Sequence, residues 1–234
     1  MALETYNRHI PPGRYSNSWS QTLYIDGRPI NTRKVELLDH RRTVYRLELE
    51  PNSLRYSIPP HLNTIIVKRQ KCGWEDCFQD ERKAYDRLEK LQGCLIPTLY
   101  GQGTFNGYPA LILSDEAGLT LYDLAFDLHK DIDTDTLEVL LERVFNTLTE
   151  HGAVYWDQRI DNFLFNNEDG KITVLDLEAV RFPEQFVECD YLVNEGGAST
   201  LLDEIKALRN TLSKPIQIGF WSAYCREGTA LNNI

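Results

Sequence analysis

The chain has 234 residues, of which 42% are hydrophobic and 11% aromatic, a composition that excludes an intrinsically disordered protein and suits one or two domains. Its net charge of -10 argues against a protein that coats nucleic acid nonspecifically, because an acidic surface repels phosphates at long range. The chain contains no run of 18 apolar residues, and Met1–Arg14 lacks a signal-peptide pattern. We therefore expect a cytoplasmic protein without membrane contact.

The first half of the chain is predicted to be rich in strands. Residues 1–32 look irregular, and three prolines make residues 50–62 a connection. Helical spacing predicts a helix over Phe78–Leu91, and the glycines of Gly101–Gly107 predict a turn. Alternating or β-branched apolar runs predict strands at Lys34–Leu38, Thr43–Leu49, Thr64–Lys68 and Tyr108–Leu113.

The second half is predicted to be rich in helices. Its predicted elements are a helix at Thr136–Glu150, a hairpin of Asn162–Phe165 and Ile172–Leu177, a helix at Leu201–Leu212 and a further helix near Ile216–Tyr224. This order favours an α+β protein of two lobes. We expect a strand-rich N-lobe at residues 1–116, a reduced helical C-lobe at residues 117–234, and a hinge near residues 115–118.

Five polar residues stand where a phosphoryl-transfer site needs them. Lys68 ends a predicted buried strand, and Glu81 lies in the following helix, where it can reach that strand. Asp157 and Asn162 lie five residues apart in one loop, and Asp176 lies near the end of the hairpin. In phosphoryl transfer a lysine held by a glutamate steadies the phosphates, an aspartate orients the attacking hydroxyl, and an asparagine and a second aspartate hold Mg²⁺.

These residues and their order resemble the protein-kinase-like superfamily, especially its small divergent fungal members and the aminoglycoside and choline kinases. The resemblance covers about residues 60–210 and rests on Lys68, Glu81 before Ala84-Tyr85-Asp86-Arg87-Leu88, the loop from Asp157 to Asn162, and Asp176-Leu177-Glu178. It implies a transferase that uses ATP and Mg²⁺. The implied catalytic residues are Asp157, Lys68 and Glu81, the nucleotide-binding residues are Lys68, Asn162 and Asp176, and the metal ligands are Asn162 and Asp176.

Three features depart from the pattern of that superfamily. The turn Asp39-His40-Arg41-Arg42 stands where a glycine-rich phosphate loop is expected, so side chains bar close approach of the backbone to phosphates. Tyr155-Trp156 replaces His-Gly, and Trp156 is bulky beside the expected acceptor hydroxyl. Leu177-Glu178 replaces Phe-Gly. Only 58 residues follow Asp176, which leaves little room for a protein-substrate platform and favours a small-molecule acceptor.

Two other functions stay open. In size and kinase-like character the chain also resembles fungal arginine-containing cyclodipeptide synthases, biosynthetic proteins that use aminoacyl-tRNAs and clamp no ATP. The carboxylates of Asp157, Asp161, Asp176 and Glu178 would then suit a guanidinium, and Trp156 would stack on it. The chain is, however, acidic and lacks an Asp-Asp-x-x-Glu segment. The third function is that of a pseudokinase that binds a partner without chemistry. Phosphotransfer is preferred because every polar residue of its mechanism is present, and the sequence fixes neither the acceptor nor the oligomeric state.

Overall fold

The computed structural model describes residues 22–39, 43–51, 57–127 and 133–213. Residues 1–21, the turn residues 40–42 and the predicted helix near Ile216–Tyr224 lie outside the described residues. Within these ranges strands come first and most of the helical residues later, so the predicted α+β class is confirmed. None of the helices in these ranges is long and apolar enough to cross a lipid bilayer.

Seven antiparallel strands form one curled sheet in the first part of the chain. They are β1 (Leu23–Ile25), β2 (Arg28–Ile30), β3 (Thr32–Asp39), β4 (Val44–Leu49), β5 (Thr64–Arg69), β6 (Leu99–Phe105) and β7 (Tyr108–Ser114). Their order across the sheet is β2-β1-β6-β7-β5-β4-β3. The four strands predicted in this region are confirmed as β3, β4, β5 and β7.

Three strands of this sheet contradict the sequence predictions. Residues 1–32 were expected to be irregular, yet β1 and β2 form a hairpin whose turn, Asp26-Gly27, has both φ angles positive. Residues 101–107 were expected to be a turn, yet β6 reaches Phe105 and only Asn106-Gly107 turns the chain. This strand needs a glycine at Gly103 because β1 lies very close to it. A Cβ atom at this position would lie 1.9 Å from the Tyr24 carbonyl oxygen.

Among the strands that the structure describes, β3 lies at one of the two edges of this sheet, and it is irregular at both ends. Its register with β4 shifts once between Thr32 and Lys34 and again between Leu37 and Asp39, the pattern of β-bulges. Arg33 and Lys34 are exposed on this strand. The regular pairing of the edge strand is therefore short.

Five α-helices, five short strands and two 3-10 helices, Glu89–Leu91 and Ile160–Asn162, complete the described fold. The α-helices and strands are α1 (Glu75–Arg87), β8 (Leu119–Thr120), α2 (Leu121–Phe126), α3 (Thr134–Glu150), β9 (Val154–Tyr155), β10 (Phe163–Asn166), β11 (Lys171–Val174), β12 (Val180–Arg181), α4 (Glu188–Glu195) and α5 (Gly197–Ser213). The strands β10 and β11 are the predicted hairpin, β8 pairs with β10, and β12 pairs with β9. The predicted helices appear as α1, α3 and α5, whereas α2 and α4 were not predicted.

Two apolar clusters hold these elements together. One face of the sheet buries the smaller cluster, which includes Ile65, Val67 and Ile112. The opposite face contributes Leu111 and Leu113 to a larger cluster that also contains α1, α3 and α5. Because side chains alternate between the faces of a strand, neighbouring residues of one strand serve different clusters.

The connection between β7 and β8 is held by ion pairs on both sides. Arg46 of β4 makes two hydrogen bonds to the Asp115 carboxylate, at 2.8 and 3.0 Å. Lys171 of β11 lies 3.3 Å from the carboxylate of Glu116. The segment where a hinge was predicted is thus tied both to the sheet and to the hairpin.

Candidate functional site

Lys68 lies on the face of β5 that looks toward α1. Ile65 and Val67 belong to the cluster on the other face, so the alternation of the strand directs Lys68 toward the helix. On α1 the buried stripe contains Phe78, Glu81 and Tyr85, at helical spacing. The Lys68 ammonium consequently meets the Glu81 carboxylate, with Nζ 2.8 Å from Oε1 and 2.7 Å from Oε2.

Two further carboxylates reach the same ammonium from the segment after β11. Lys68 Nζ lies 2.9 Å from Asp176 Oδ1 and 3.0 Å from Glu178 Oε1. Lys68 is 5% exposed, Glu81 0% and Asp176 8%, so these charges are almost fully removed from water. We call Lys68, Glu81, Asp176 and Glu178 the Lys68 cluster; it joins residues that lie up to 110 positions apart in the chain.

Burial and mutual charge determine the protonation of the Lys68 cluster. Burial disfavours the charge on Lys68, but Glu81, Asp176 and Glu178 outweigh it and raise the lysine pKa above its ordinary value. Burial raises the pKa of Glu81 to about 7, aided by Asp176 and Glu178 and opposed by Lys68. Mainly because it is buried, the Glu81 carboxyl therefore binds a proton near neutral pH.

Asp157 and Asn162 form the second half of the site. The Asn162 side-chain amide donates to the Asp157 carbonyl oxygen at 2.8 Å and to its carboxylate Oδ2 at 2.7 Å. Asn162 is fully buried and Asp157 is partly buried. The Leu175 backbone N–H donates to the Asn162 carbonyl oxygen at 2.8 Å, which brings the residue after Leu175, Asp176, next to this loop. We call residues 156–162 the Asp157 loop.

The Asp157 loop is anchored by helices that follow it in the chain. The Asn194 side chain, on α4 and 2% exposed, accepts from the Tyr155 backbone N–H at 3.0 Å and donates to the Ala153 carbonyl oxygen at 2.8 Å. The Gln158 side-chain amide donates to the Val193 carbonyl oxygen at 2.6 Å. Glu204 of α5 accepts from the Ile160 backbone N–H at 3.3 Å. These contacts set the backbone of the loop independently of any ligand.

The other predicted binding residues have different surroundings. Asp161 is engaged by Arg159, whose guanidinium donates to both carboxylate oxygens, at 3.1 and 2.9 Å. The Trp156 side chain is 52% exposed beside Asp157. Its backbone N–H donates to the Ala179 carbonyl oxygen at 3.3 Å, which holds Trp156 next to the segment that carries Glu178.

The resemblance implies two metal ligands, Asn162 and Asp176, whereas the structure groups Asp176 with two other carboxylates. The carboxylates of Glu81, Asp176 and Glu178 each offer an oxygen atom, and these atoms lie within 4.8 Å of one another. The Lys68 ammonium lies 2.7 to 3.0 Å from all three of these carboxylates. These three carboxylates therefore already contact a cation, the Lys68 ammonium.

Several residues of the site were not singled out from the sequence. Tyr85 is fully buried one helical turn after Glu81, and its hydroxyl has no hydrogen-bond partner among the residues that the structure describes. Burial first, and then the charges of Glu81 and Asp176, raise the pKa of Tyr85. The i, i+4 spacing of Glu81 and Tyr85 is a signal that could have placed them together. Arg159 and Asp161 lie two positions apart, which could likewise have suggested their ion pair. The sequence around Asn194, in contrast, gives no sign that this residue belongs to the site.

Two depressions on the surface contain none of these residues. One lies on α3 at Asp135, Thr136, Val139 and Leu140, and the other lies beside β1 and β6. The ion pairs and the anchored loop, and not either depression, therefore define the candidate site.

Comparisons with known proteins add no family to this geometry. A search against protein-family models found no match for the chain, and a search of curated proteins found no match either. The resemblance to kinase-like proteins stays a prediction that rests on the residues described above.

Proposed function

We propose that the chain is a kinase-like transferase that moves a phosphoryl group from ATP to a small molecule with the help of Mg²⁺. The observation that carries this proposal is the contact of Lys68 with both Glu81 and Asp176 at 2.7 to 2.9 Å, beside the hydrogen-bonded pair Asp157 and Asn162. Phosphoryl transfer depends on positioning and charge stabilisation, and these five side chains are the set that it requires.

The proposal includes a two-lobed kinase-like arrangement. The seven-stranded sheet and α1 would be the N-lobe, the elements from β8 onward would be the C-lobe, and the site would lie between them. Its support is that Lys68 and Glu81 come from the first part, whereas Asp157, Asn162 and Asp176 come from the second. The contacts of Lys68 with Asp176 and Glu178 cross from one part to the other.

The chemistry of the donor set suits ATP and Mg²⁺. Mg²⁺ prefers oxygen ligands, and Asp176 and Asn162 carry a carboxylate and an amide oxygen on two segments that the backbone bond from Leu175 to Asn162 joins. Lys68 has a raised pKa and stays charged, as a phosphate-binding lysine must. When bound, ATP with Mg²⁺ would supply the phosphoryl group and the charge that neutralises it.

Each residue of the chain then has a distinct task. Glu81 fixes the Lys68 ammonium, which would donate to phosphate oxygens. Asp157, held by the Asn162 amide, would accept the proton of the acceptor hydroxyl and orient that hydroxyl for attack. The exposed ring of Trp156 would pack against the acceptor.

The test is transfer of phosphate from ATP·Mg²⁺ to a panel of small alcohols and amino alcohols, followed by ³¹P NMR. We expect transfer by the wild-type chain and a loss of at least about a hundredfold in Asp157→Asn, because the catalytic base is removed. Asp203→Asn, an exposed aspartate on α5, is the matched control and should keep wild-type activity. Binding of ATP·Mg²⁺ without transfer to any acceptor, including water, would instead favour the pseudokinase function.

A second candidate, the arginine-containing cyclodipeptide synthase, is favoured by one observation. The exposed Trp156 lies beside Asp157, and this pairing of an aromatic ring with a carboxylate suits a guanidinium. The three carboxylates around Lys68 show that the same site already holds a cationic group. Arg159 already engages Asp161, so the guanidinium would use Asp157 rather than Asp161. Incubation with arginyl-tRNA and other aminoacyl-tRNAs, followed by mass spectrometry, should yield cyclo-Arg-Xaa if this function is correct and no dipeptide if it is not.

A further inference from the structure

The Lys68 ammonium is already in contact with three carboxylates, those of Glu81, Asp176 and Glu178. An ammonium carries three N–H donors, of which Lys68 uses two in hydrogen bonds to Glu81 and Asp176, at 2.8 and 2.9 Å. Its contact with Glu178 is an ion pair, with Nζ 3.0 Å from the carboxylate Oε1. An additional anion at Lys68 therefore competes with these carboxylates for the ammonium, and Glu178 is the one that makes no hydrogen bond to it.

The three carboxylates differ in how firmly they are held. Glu81 is fully buried in the middle of α1, and Asp176 is 8% exposed and also accepts from the Glu178 backbone N–H at 3.1 Å. The Glu178 side chain is 23% exposed and lies in a turn after β11. Because its own backbone is fixed by Asp176 and by Arg181, the Glu178 side chain can rotate into solvent without moving the main chain.

Charge balance also singles out Glu178. With Glu178 in contact, the cluster has three carboxylates for one ammonium. Without Glu178, Lys68 keeps two buried carboxylate partners and is still compensated. Departure of Glu178 costs the cluster least, whereas loss of Glu81 or Asp176 would leave a deeply buried charge without its partner.

We propose that Glu178 occupies the position on Lys68 that a ligand anion takes, so that an anionic group binds Lys68 only after the Glu178 carboxylate has moved away. This inference rests on the proposed function, in which the anion is a nucleotide phosphate. Glu178 thereby sets the affinity of the site for phosphate, in a chain whose sequence between β3 and β4 contains no glycine to cradle phosphates.

The experiment compares Glu178→Ala with the wild-type chain and with Glu142→Ala, a control that removes an exposed glutamate of α3 and the same charge. Isothermal titration calorimetry measures binding of two probes, inorganic tripolyphosphate without Mg²⁺ and ATP with Mg²⁺. We expect Glu178→Ala to bind both probes about tenfold more tightly than wild type, which corresponds to about 1.4 kcal/mol. Glu142→Ala should bind them as wild type does.

A second variant separates charge from size and guards against misfolding. Glu178→Gln keeps the length of the side chain and removes its charge, so it should gain affinity for both probes, but less than Glu178→Ala does. Equal or weaker binding of tripolyphosphate by both variants, with circular dichroism like that of wild type, would overturn the inference.

Failure of this inference can be told apart from failure of the proposed function. Tighter binding of tripolyphosphate by the Glu178 variants, with no phosphoryl transfer by the wild-type chain, would support the role of Glu178 and reject phosphotransfer. Phosphoryl transfer by the wild-type chain, with unchanged affinities in the Glu178 variants, would support phosphotransfer and reject the role of Glu178. Absence of binding by every variant would reject both.

Discussion

The two halves of the candidate site are stabilised in different ways. The Lys68 cluster is buried, charged and assembled from β5, α1 and the segment after β11. The Asp157 loop is local in sequence and only partly buried at Asp157. It is held by the bonds of Gln158 and Ile160 to α4 and α5, and by the bond that the backbone N–H of the preceding residue, Tyr155, donates to Asn194. The first half therefore depends on complete charge compensation, whereas the second depends on the helices that anchor it. Substitutions should affect stability strongly in the first half and mainly activity at the centre of the second.

The largest loss of stability is expected for Lys68→Met, which leaves three carboxylates in a site removed from water. We expect a decrease of about 3 to 5 kcal/mol in the free energy of unfolding, measured by urea denaturation at pH 7. The double variant Lys68→Met/Glu81→Leu should lose less stability than Lys68→Met alone, because it also removes the most buried uncompensated charge. A double variant that is less stable than the single one would show that charge compensation does not hold this half together.

The next largest effect should be the pH dependence caused by Glu81. Its pKa is about 7 in the folded protein and 4.5 in the unfolded chain, so the folded protein retains a proton that the unfolded chain releases. The resulting stabilisation is fully present below pH 4.5 and is lost as the pH rises through 7. The difference between these pKa values corresponds to about 3 kcal/mol.

Unfolding free energies of the wild-type chain and of Glu81→Gln between pH 5 and 8.5 measure this contribution. Glu81→Gln cannot titrate at this position, so its stability should fall less steeply with pH than that of wild type. Glu142→Gln, which changes an exposed glutamate, should retain the wild-type slope. Parallel slopes in wild type and Glu81→Gln would contradict the assignment of the proton to Glu81.

A smaller loss is expected for Asn194→Ala, which breaks the anchor of the Asp157 loop. The substitution removes the bonds to Tyr155 and Ala153 and leaves a buried N–H and a buried C=O without that partner. We expect a loss of about 2 kcal/mol of stability and faster amide hydrogen exchange at residues 153–162. Exchange that accelerates uniformly over the whole chain would mean that Asn194 supports the fold in general rather than this loop.

The smallest change in stability is expected for Asp157→Asn. The new side-chain oxygen can still accept from the Asn162 amide, and Asp157 is only partly buried, so the free energy of unfolding should change by less than about 1 kcal/mol. A much larger loss in thermal or urea denaturation would show that Asp157 is part of the structural framework, and the activity test on this variant would then lose its meaning.

Part of the site was predictable because its signals are local. The β-branched run that ends at Lys68 indicated a buried strand, and the helical spacing around Glu81 placed a carboxylate on the face that packs against it. The five-residue interval between Asp157 and Asn162 marked a loop, and the structure joins their side chains directly. These residues were found because strand and helix periodicity fix the direction of each side chain.

Other features depend on contacts between distant parts of the chain and left no local pattern. Nothing near Asn194 indicates that its amide meets the backbone of Tyr155, 39 residues earlier. Gly103 was interpreted as a turn glycine because its sequence does not reveal that β1 lies against it. Asp26-Gly27 is the exception, since this pair is typical of a tight hairpin turn and could have predicted β1 and β2.

The irregular edge of the sheet has a consequence for how the protein behaves at high concentration. A long, flat outer strand offers its unpaired backbone groups to a neighbouring molecule and so promotes aggregation. The bulges at both ends of β3 and the exposed Arg33 and Lys34 leave a foreign strand only a few residues with which to pair. Straightening this edge, rather than changing the buried charges, is the alteration that should make the chain prone to forming fibrils.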